Sequence, residues 1–227
     1  MEWILQYGRL GTVTIAEQIE QMDLAGKLPA EVAGRFTKEQ QDLDAAGTPS
    51  GIAAPGTAMP DGDLLDAHGA STTLAKVTAG KPAVVVFYRG AWCPYCNVAL
   101  RAYEQELVPE LVARGATMVA LSPQKPDGSL TMQETNALSY AVVSDPGNQI
   151  AGKLGILTAP TDGARESQQA LGLDITQVNA DGTTTLPMPT TVVLDADGVI
   201  RWIDVHPNYT ARSEVAAILT ALDQIRP

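Results

Sequence analysis

Cysteine is scarce in this sequence: there are only two, Cys93 and Cys96, and they lie three residues apart. Secreted proteins that depend on disulfides for stability spread their cysteines along the chain to close long loops. A disulfide across so short a spacing would constrain the unfolded chain very little. The spacing therefore favours a chemical role for the pair, and it favours the reducing cytoplasm as the setting.

Long apolar runs and an excess of basic charge are also absent. The longest apolar run, 83–87, is far shorter than the ~20 residues that a membrane helix needs. Residues 1–13 lack a basic leader and match no helical or strand period, so we expect no secretory signal peptide. The formal net charge is −11, with the basic residues scattered. Because such a chain is repelled by phosphates and anionic membranes, we expect neither nucleic acid nor membrane as a partner.

The residue pattern divides the chain into two regions. We expect residues 1–50 to form an N-terminal helical arm and residues 51–227 to form the main domain. Within the arm, Thr14 and Glu17 have the spacing of a capping box, which starts a helix. A segment rich in Gly, Pro, Ala and Ser at 48–62 predicts a linker. We interpret the arm as a packing or dimerising appendage, and coverage of one side of the core is the simpler interpretation.

Short apolar strands alternate with helical patterns in the main domain. The β-branched run 83–87 predicts a strand that is buried on both faces, and Pro109 predicts a kink in the helix that follows. Asp197 and Gly198 predict a hairpin turn between two later strands. Residues 156–186 predict an insertion of loops with one brief helix. The order of elements predicts an α/β protein with a mixed central sheet and helices on both faces.

The two cysteines fall where a strand is predicted to end and a helix to begin. Gly90 permits a tight turn, Cys93 takes the cap position, and Pro94 takes the first helical position, where its missing N–H costs nothing. The free N–H groups and the positive dipole end of the helix are expected to lower the pKa of the Cys93 thiol and favour the reactive thiolate. Cys96 lies one turn further on the same face, within reach of a disulfide. This context predicts a redox-active dithiol.

Two other interpretations of the cysteine pair stay open on sequence alone. A Cys-x-x-Cys pair is half of a zinc site, but the other half would require His68 and His206, or a dimer that shares two such pairs. The cysteines could also be incidental buried residues. We expect neither, and we expect no bound metal or organic cofactor.

The segment around the cysteines resembles known redox families. Trp-Cys-x-x-Cys after a buried strand resembles thioredoxins, and Cys93-Pro-Tyr-Cys96 is the glutaredoxin active-site tetrapeptide. The longer stretch Phe-Tyr-Arg-Gly-Ala-Trp-Cys-Pro-Tyr-Cys, at 87–96, resembles the peroxiredoxin-like branch of the alkyl hydroperoxide reductase / thiol-specific antioxidant family. The similarity runs from about residue 14 to the C-terminus. The resemblance implies a thioredoxin-like fold with an N-terminal helical extension, and a thiol-dependent oxidoreductase.

The resemblance leaves two registers for the active-site loop. Peroxiredoxins carry Pro-x-x-x-Thr-x-x-Cys, a pattern that places Cys96 at the peroxidatic position and puts Cys93 and Arg89 in place of the Thr and the Pro. The thioredoxin register makes Cys93 the attacking residue. We favour Cys93, because a cap position is expected to be more exposed than a position one turn inside the helix.

The late strand departs from the peroxiredoxin pattern. Peroxiredoxins carry an Arg just before this strand, where this chain has Met188, Pro189 and Thr190. Pro189 resembles the cis-proline of thioredoxins, which helps to position a substrate chain. Arg89 is expected to replace the missing cation, because a positive neighbour stabilises a thiolate and a developing oxide.

Further residues near the cysteines are expected to contribute to the site. The expected catalytic residues are Cys93, Cys96 and Arg89. The expected substrate-binding residues are Trp92, Pro94, Tyr95, Pro189 and Thr190. A polar group after the last strand is expected to cap the final helix; it consists of His206, Asn208, Tyr209 and Arg212.

The resemblance implies a thiol peroxidase. Cys93 would reduce a hydroperoxide and become a sulfenic acid, and Cys96 would condense with it to give a disulfide. Thioredoxin, glutaredoxin or a low-molecular-weight thiol would then restore the dithiol. Two alternatives stay open: a thiol-disulfide oxidoreductase, which Pro189 favours, and a non-enzymatic redox sensor whose N-terminal arm binds a partner.

Overall fold

The computed structural model describes residues 13–225, so the expectations for residues 1–12 lie outside the described range. Helices account for more of this part of the chain than strands do. In chain order they are α1 (Ile15–Gln21), α2 (Leu24–Lys27), α3 (Ala30–Ala46), α4 (Leu74–Thr78), α5 (Pro94–Ala102), α6 (Val108–Ala113), α7 (Pro126–Thr135), α8 (Gln149–Leu154), α9 (Asp162–Ala170), α10 (Ile175–Val178) and α11 (Val215–Asp223). None of the helices within 13–225 is long and apolar enough to cross a membrane.

Seven strands form the central sheet and two form a small separate sheet. The strands are β1 (Leu64–Leu65), β2 (Ser71–Thr72), β3 (Ala83–Phe87), β4 (Thr117–Ser122), β5 (Ala141–Ser144), β6 (Leu157–Thr158), β7 (Leu186–Pro187), β8 (Thr190–Leu194) and β9 (Ile200–Val205). The central order is β2-β1-β5-β4-β3-β8-β9, and β6 pairs with β7. Strand β3 runs parallel to β4 and antiparallel to β8, so the predicted mixed sheet is confirmed.

The middle of the sheet is buried because helices cover both of its faces. Every residue of β3 is buried, as the unbroken apolar run predicts for a strand covered on both sides. One core cluster on the α5 side includes Leu100, Tyr103 and Leu107, and the opposite cluster includes Phe87 and Leu154. The two clusters fix the end of β3, which is where the cysteine segment begins.

The helix after the cysteines contains a π-helical turn. Regular α5 is followed by a π-helix over Tyr103–Leu107, and α6 then begins one residue before Pro109. Proline lacks an N–H and its ring clashes with the carbonyl four residues earlier, so widening the preceding turn accommodates it. The predicted disruption at Pro109 therefore takes the form of a π-bulge.

The N-terminal arm packs against the main domain through specific polar contacts. The predicted capping box is present at the start of α1, where the Thr14 side chain accepts from the Glu17 backbone N–H. The Glu214 carboxylate accepts hydrogen bonds from the backbone N–H groups of Ile15, at 3.0 Å, and Ala16, at 2.9 Å. Helix α3 packs against α9. The arm thus covers one side of the core, and the division of the chain at residue 50 stays a prediction.

The insertion at 156–186 contains more structure than the sequence predicts. The predicted brief helix is α9, and the segment also holds α10 and the β6–β7 pair. Thr161 accepts from the Ala164 N–H at the start of α9, and Asp174 accepts from the Thr176 N–H at the start of α10. The cap at Asp174 accounts for α10, which at four residues is too short to show an apolar periodicity.

Candidate active site

The cysteine segment joins β3 to α5 through a tight loop. Cys93 is the N-cap of α5 and Pro94 the first helical residue, as the sequence predicts. Gly90 has φ 153°, and a Cβ atom there would lie 2.3 Å from the Trp92 Nε1. The loop is also held by Gln124, whose Oε1 accepts from the Ala91 N–H at 2.9 Å. Glycine is therefore required at this turn because the indole packs directly on the backbone.

Both sulfur atoms are free thiols and both are buried. Cys93 is 1% exposed and Cys96 is fully enclosed. The cap position is thus almost as buried as the position one turn inside the helix, because the N-terminal arm and the insertion fold over the helix start. The two residues still differ in access, since Cys93 lines a pocket and Cys96 lies beneath it.

The negative charge of the pair resides on Cys96. Burial opposes its ionisation, but the hydrogen bond from the Cys93 thiol and the charges of Arg212 and Arg89 outweigh burial and lower the pKa of Cys96 to about 5. Burial, together with the hydrogen bond and charge of Cys96, raises the pKa of Cys93 well above its usual range. The expectation that the helix start ionises Cys93 is thus wrong for the resting dithiol, in which Cys93 is the proton donor.

Arg212 supplies the cation closest to the sulfur atoms. Its Nη2 lies 3.1 Å from Cys96 Sγ and 4.0 Å from Cys93 Sγ. It comes from the loop between β9 and α11, more than 100 residues after the cysteines, and not from the start of β8 where peroxiredoxins carry an Arg. An opposite charge this close favours the thiolate, since one within ~4–6 Å lowers a pKa by about 1–3 units.

The polar group after the last strand does not cap the final helix as expected. Glu214 is the N-cap of α11 and makes no capping hydrogen bond. His206 instead pairs with Asp204 at 2.9 Å, and Asn208 donates to Asp44 at 2.9 Å. Arg212 contacts the sulfur atoms instead, so the predicted capping role for this residue is wrong. The only indication of this contact in the sequence is that Arg212 is a cation close to the predicted start of the final helix.

Buried hydrogen bonds hold the Arg212 loop in position. Arg212 Nη1 donates to the carbonyl of Tyr209 at 2.6 Å. The hydroxyl of Tyr103, in the π-helical turn, donates to the carbonyl of Ser213 at 2.7 Å. The Ser213 hydroxyl donates to the Asp204 carboxylate at 2.7 Å. The π-helical turn and the end of β9 thus fix the guanidinium relative to α5.

Arg89 is a second cation near the pair, as expected from the sequence. It is 5% exposed, and its guanidinium lies 4.0 Å from the ring centre of Tyr209 and 5.1 Å from that of Trp92. Its charge lowers the pKa of both thiols, and its backbone N–H donates to Cys96. The aromatic faces stabilise a guanidinium that is otherwise removed from water.

A pocket of about 430 Å³ opens above Cys93. Trp92, Pro94 and Tyr95 line it together with Arg89, as the resemblance implies for substrate-binding residues. The remaining walls come from segments that lie far from the cysteines in the sequence. They consist of Leu24, Leu28, Phe36, Gln40, Gln168, Leu171, Gly172, Leu173 and Tyr209.

Pro189 and Thr190 lie outside this pocket. Pro189 lines a separate cavity of about 10 Å³, which shares Arg89 and Tyr209 with the pocket above Cys93. Thr190 is buried at the start of β8, where its hydroxyl donates to the Met188 carbonyl at 2.8 Å. No cis peptide bond occurs in residues 13–225, so Pro189 differs from the cis-proline of thioredoxins. A substrate role for these two residues stays a prediction.

The cysteines are not part of a metal-binding group in the part of the chain that the structure describes. That part contains no cluster of three or more His, Cys, Asp or Glu side chains suited to hold a metal ion. The His206 ring pairs with Asp204, and His68 lies in the turn between β1 and β2, where its backbone N–H donates to the Asp66 carboxylate.

Comparison with known proteins gives a consistent family assignment. Residues 55–203 match the AhpC/TSA family. Over 148 residues the chain is 29% identical to peroxiredoxin Q, chloroplastic, of Populus jackii, an alignment that covers 65% of this chain and 58% of that protein. Peroxiredoxin Q, chloroplastic, of Oryza sativa subsp. japonica is 26% identical over 153 residues, or 67% and 59% of the two chains. The chain spans about three fifths of the length of the curated relatives it matches.

Solved structures share the fold at low sequence identity. Peroxidoxin BcpB from Mycobacterium tuberculosis superposes with a TM-score of 0.57 at 20% identity, covering 76% of this chain and 98% of that one. Reduced Prx3 from Vibrio vulnificus in complex with H2O2 gives 0.60 at 19% identity, covering 75% and 99%. These similarities confirm the predicted thioredoxin-like fold.

Proposed function

The chain belongs to the AhpC/TSA family, and from that premise we propose that it is a thiol peroxidase that cycles between the dithiol and the disulfide of Cys93 and Cys96. One observation carries the proposal: a sulfur with a pKa lowered to about 5 contacts Arg212 and lies beside a second thiol that faces a pocket. A thiolate is the nucleophile in peroxide reduction. The same thiolate could serve a thiol-disulfide oxidoreductase, and the preference for the peroxidase comes from the curated relatives, which are peroxiredoxins.

Cys93 is the attacking residue in this proposal because it lines the pocket from which a substrate arrives. Its proton passes along the hydrogen bond to the Cys96 thiolate. The resulting Cys93 thiolate attacks the terminal oxygen of the hydroperoxide, a sulfur–oxygen bond forms and the oxygen–oxygen bond breaks. The departing alkoxide, or hydroxide when the substrate is hydrogen peroxide, takes up the proton that Cys96 accepted, which returns Cys96 to the thiolate. The products are a Cys93 sulfenic acid and an alcohol or water.

Cys96 then resolves the sulfenic acid. Its sulfur attacks the Cys93 sulfur, a disulfide forms, and the hydroxyl group leaves as water. Arg212 lies within 4.0 Å of both sulfur atoms, so its charge stabilises the anionic sulfur and the oxide that develops beside it. Arg89 adds a second positive charge from the other end of the loop.

A reductant must return the disulfide to the dithiol. Thioredoxin, glutaredoxin or a low-molecular-weight thiol can do so by thiol–disulfide exchange, and the reducing cytoplasm supplies all three. A homodimer formed through the N-terminal arm is a further prediction from the sequence. The net charge of −11 disfavours nucleic acid and anionic membranes as partners.

Single-cysteine variants test the proposal. Reduced wild-type, Cys93→Ser and Cys96→Ser proteins are mixed with hydrogen peroxide and with an organic hydroperoxide in a stopped-flow instrument, and sulfenic acid is trapped with dimedone. We expect Cys93→Ser to lose peroxide reduction, and Cys96→Ser to react once and retain a trapped sulfenic acid at Cys93. A sulfenic acid on Cys96 in the Cys93→Ser protein would show that the peroxiredoxin register is correct. Disulfide reduction without any peroxide consumption would refute the peroxidase.

A further inference from the structure

Glu39 Oε2 and Arg89 Nε are buried polar atoms that have no hydrogen-bond partner among residues 13–225. Glu39 is 4% exposed and Arg89 is 5% exposed. Buried polar groups in folded proteins are nearly always hydrogen-bonded, either to the protein or to an ordered water. A charged group that stays unpaired in the interior carries a large desolvation cost. Each of these two atoms therefore requires a partner that the surrounding side chains do not supply.

The two side chains line the same small cavity. Its volume is about 10 Å³, which is at the lower limit of the ~10–15 Å³ that one water molecule needs. Thr158 and Tyr209 also line the cavity and carry hydroxyl groups. An interior water makes about 2–4 hydrogen bonds, so a carboxylate acceptor, a guanidinium donor and nearby hydroxyl groups suit this ligand. A larger molecule does not fit.

Both side chains are held in place on their own side of the cavity. Glu39 Oε1 accepts hydrogen bonds from the Thr161 N–H, at 2.7 Å, and from the Thr161 hydroxyl, at 3.0 Å. The Arg89 guanidinium lies 4.0 Å from the ring centre of Tyr209. A bridging water satisfies both unpaired atoms without moving either side chain. Three prolines of the cavity wall cannot replace it as donors to Glu39 Oε2, because proline has no backbone N–H; they are Pro160, Pro189 and Pro207.

Glu39 and Arg89 carry opposite charges, and the charge of Arg89 acts on the cysteines. It lowers the pKa of both thiols. Burial, together with the charge of Glu39, raises the pKa of Tyr209, the residue on which Arg89 is stacked. A buried cation without a paired anion is strongly destabilising. Glu39 is thus placed to balance the charge of Arg89.

We propose that this cavity is a binding site for one water molecule that bridges Glu39 Oε2 and Arg89 Nε, and that Glu39 is the counter-ion of Arg89. The water donates to the carboxylate and accepts from the Nε–H. Glu39 belongs to α3 and lies outside the family match at 55–203. The N-terminal arm therefore sets the charge balance beside the cysteine pair in addition to covering the core. This role does not depend on whether the substrate is a hydroperoxide or a disulfide.

NMR of the full-length protein labelled with ¹⁵N tests the water site. The Arg89 Nε–H signal is assigned by its loss in Arg89→Lys, and its contacts with water protons are measured in laboratory-frame and rotating-frame NOE experiments. We expect a long-lived water contact in the wild type and in Glu39→Gln, because the Gln side chain keeps an oxygen acceptor. Glu39→Leu should abolish this contact, since a water with too few polar partners is not retained. A wild type without a long-lived water contact, or a contact that persists in Glu39→Leu, would overturn the water site.

Thiolate absorbance over a range of pH tests the counter-ion role. Glu39→Gln removes the negative charge beside Arg89 and should lower the thiol pKa. An opposite charge at ~4–6 Å shifts a pKa by about 1–3 units, so we expect about 0.5 units from a group farther away. Glu39 is such a group, because it does not line the pocket that holds Cys93.

Glu31→Gln is the matched control for both measurements. It removes the same charge from the same helix, but the Glu31 side chain is 79% exposed and pairs with Arg35, so neither the water contact nor the thiol pKa should change. An unchanged or raised thiol pKa in Glu39→Gln would overturn the counter-ion role. Neither measurement uses a peroxide, so a failure of the peroxidase proposal and a failure of this one are distinguishable.

Discussion

Replacing Arg212 with Gln removes the cation that lies 3.1 Å from Cys96 Sγ. The Gln side chain keeps hydrogen-bonding groups and a similar length, so the main change is the loss of charge. We expect the pKa of the cysteine pair to rise, because burial would then oppose the thiolate with less compensation. The peroxide reaction should slow wherever the thiolate becomes the minor form.

The size of the effect follows from the contact distance. Loss of an opposite charge this close should raise a pKa by about 1–3 units, so a value of about 5 for Cys96 moves to roughly 7. At pH 6 the thiolate fraction then falls from ~90% to ~10%, a roughly tenfold loss. At pH 7 the same change in pKa lowers the thiolate fraction only about twofold. In the wild type the thiolate is lost only as the pH falls through about 5.

The assay follows ultraviolet thiolate absorbance and the rate of peroxide oxidation over the same pH range. Arg212→Lys retains the charge and should keep the pKa closer to the wild-type value. Arg201→Gln is a matched control, because Arg201 is half-exposed and pairs with Asp195 away from the sulfur atoms. An Arg212→Gln protein with an unchanged thiol pKa and an unchanged rate at pH 6 would refute the electrostatic role of this residue.

Two further predictions concern the parts that hold the site in position. Gly90→Ala should lower the free energy of unfolding by about 1–3 kcal/mol in urea titrations, because the new methyl group adds backbone strain and a close contact with Trp92. Gly34→Ala is the control: its methyl group meets open space on α3, so it should stabilise the protein by ~0.5–1 kcal/mol. Equal effects at the two glycines would contradict a special requirement at Gly90. Tyr103→Phe leaves the Ser213 carbonyl without its buried donor, so it should lower the free energy of unfolding by ~1–3 kcal/mol. It should also raise the thiol pKa, because the Arg212 loop is held less firmly. A loss of stability with no change in the thiol pKa would show that the π-helical turn does not position Arg212.

The sheet and the cysteine turn could be predicted because local sequence determines them. The run 83–87 is apolar throughout and forms a fully buried strand, and the Cys93–Pro94 pair places a helix start directly after it. The π-helical turn before Pro109 was predicted only as a kink, since periodicity does not distinguish ways of accommodating a proline.

The surroundings of the cysteines could not be predicted because distant segments supply them. Arg212 and Phe36 reach the site only through tertiary packing, and neither belongs to a local motif. The near-complete burial of Cys93 could not be predicted for the same reason, because its cover comes from the N-terminal arm and the insertion. With Cys93 buried, its helix-start position does not lower its pKa, and the hydrogen bond within the pair puts the charge on Cys96.

The most direct test of the redox cycle is a stoichiometric titration of the fully reduced protein with an organic hydroperoxide, followed by peptide mass spectrometry. The account predicts one disulfide between Cys93 and Cys96 for each molecule of alcohol released, and repeated cycles once a dithiol reductant is added. Hydroperoxide that survives beside two unmodified thiols would contradict it.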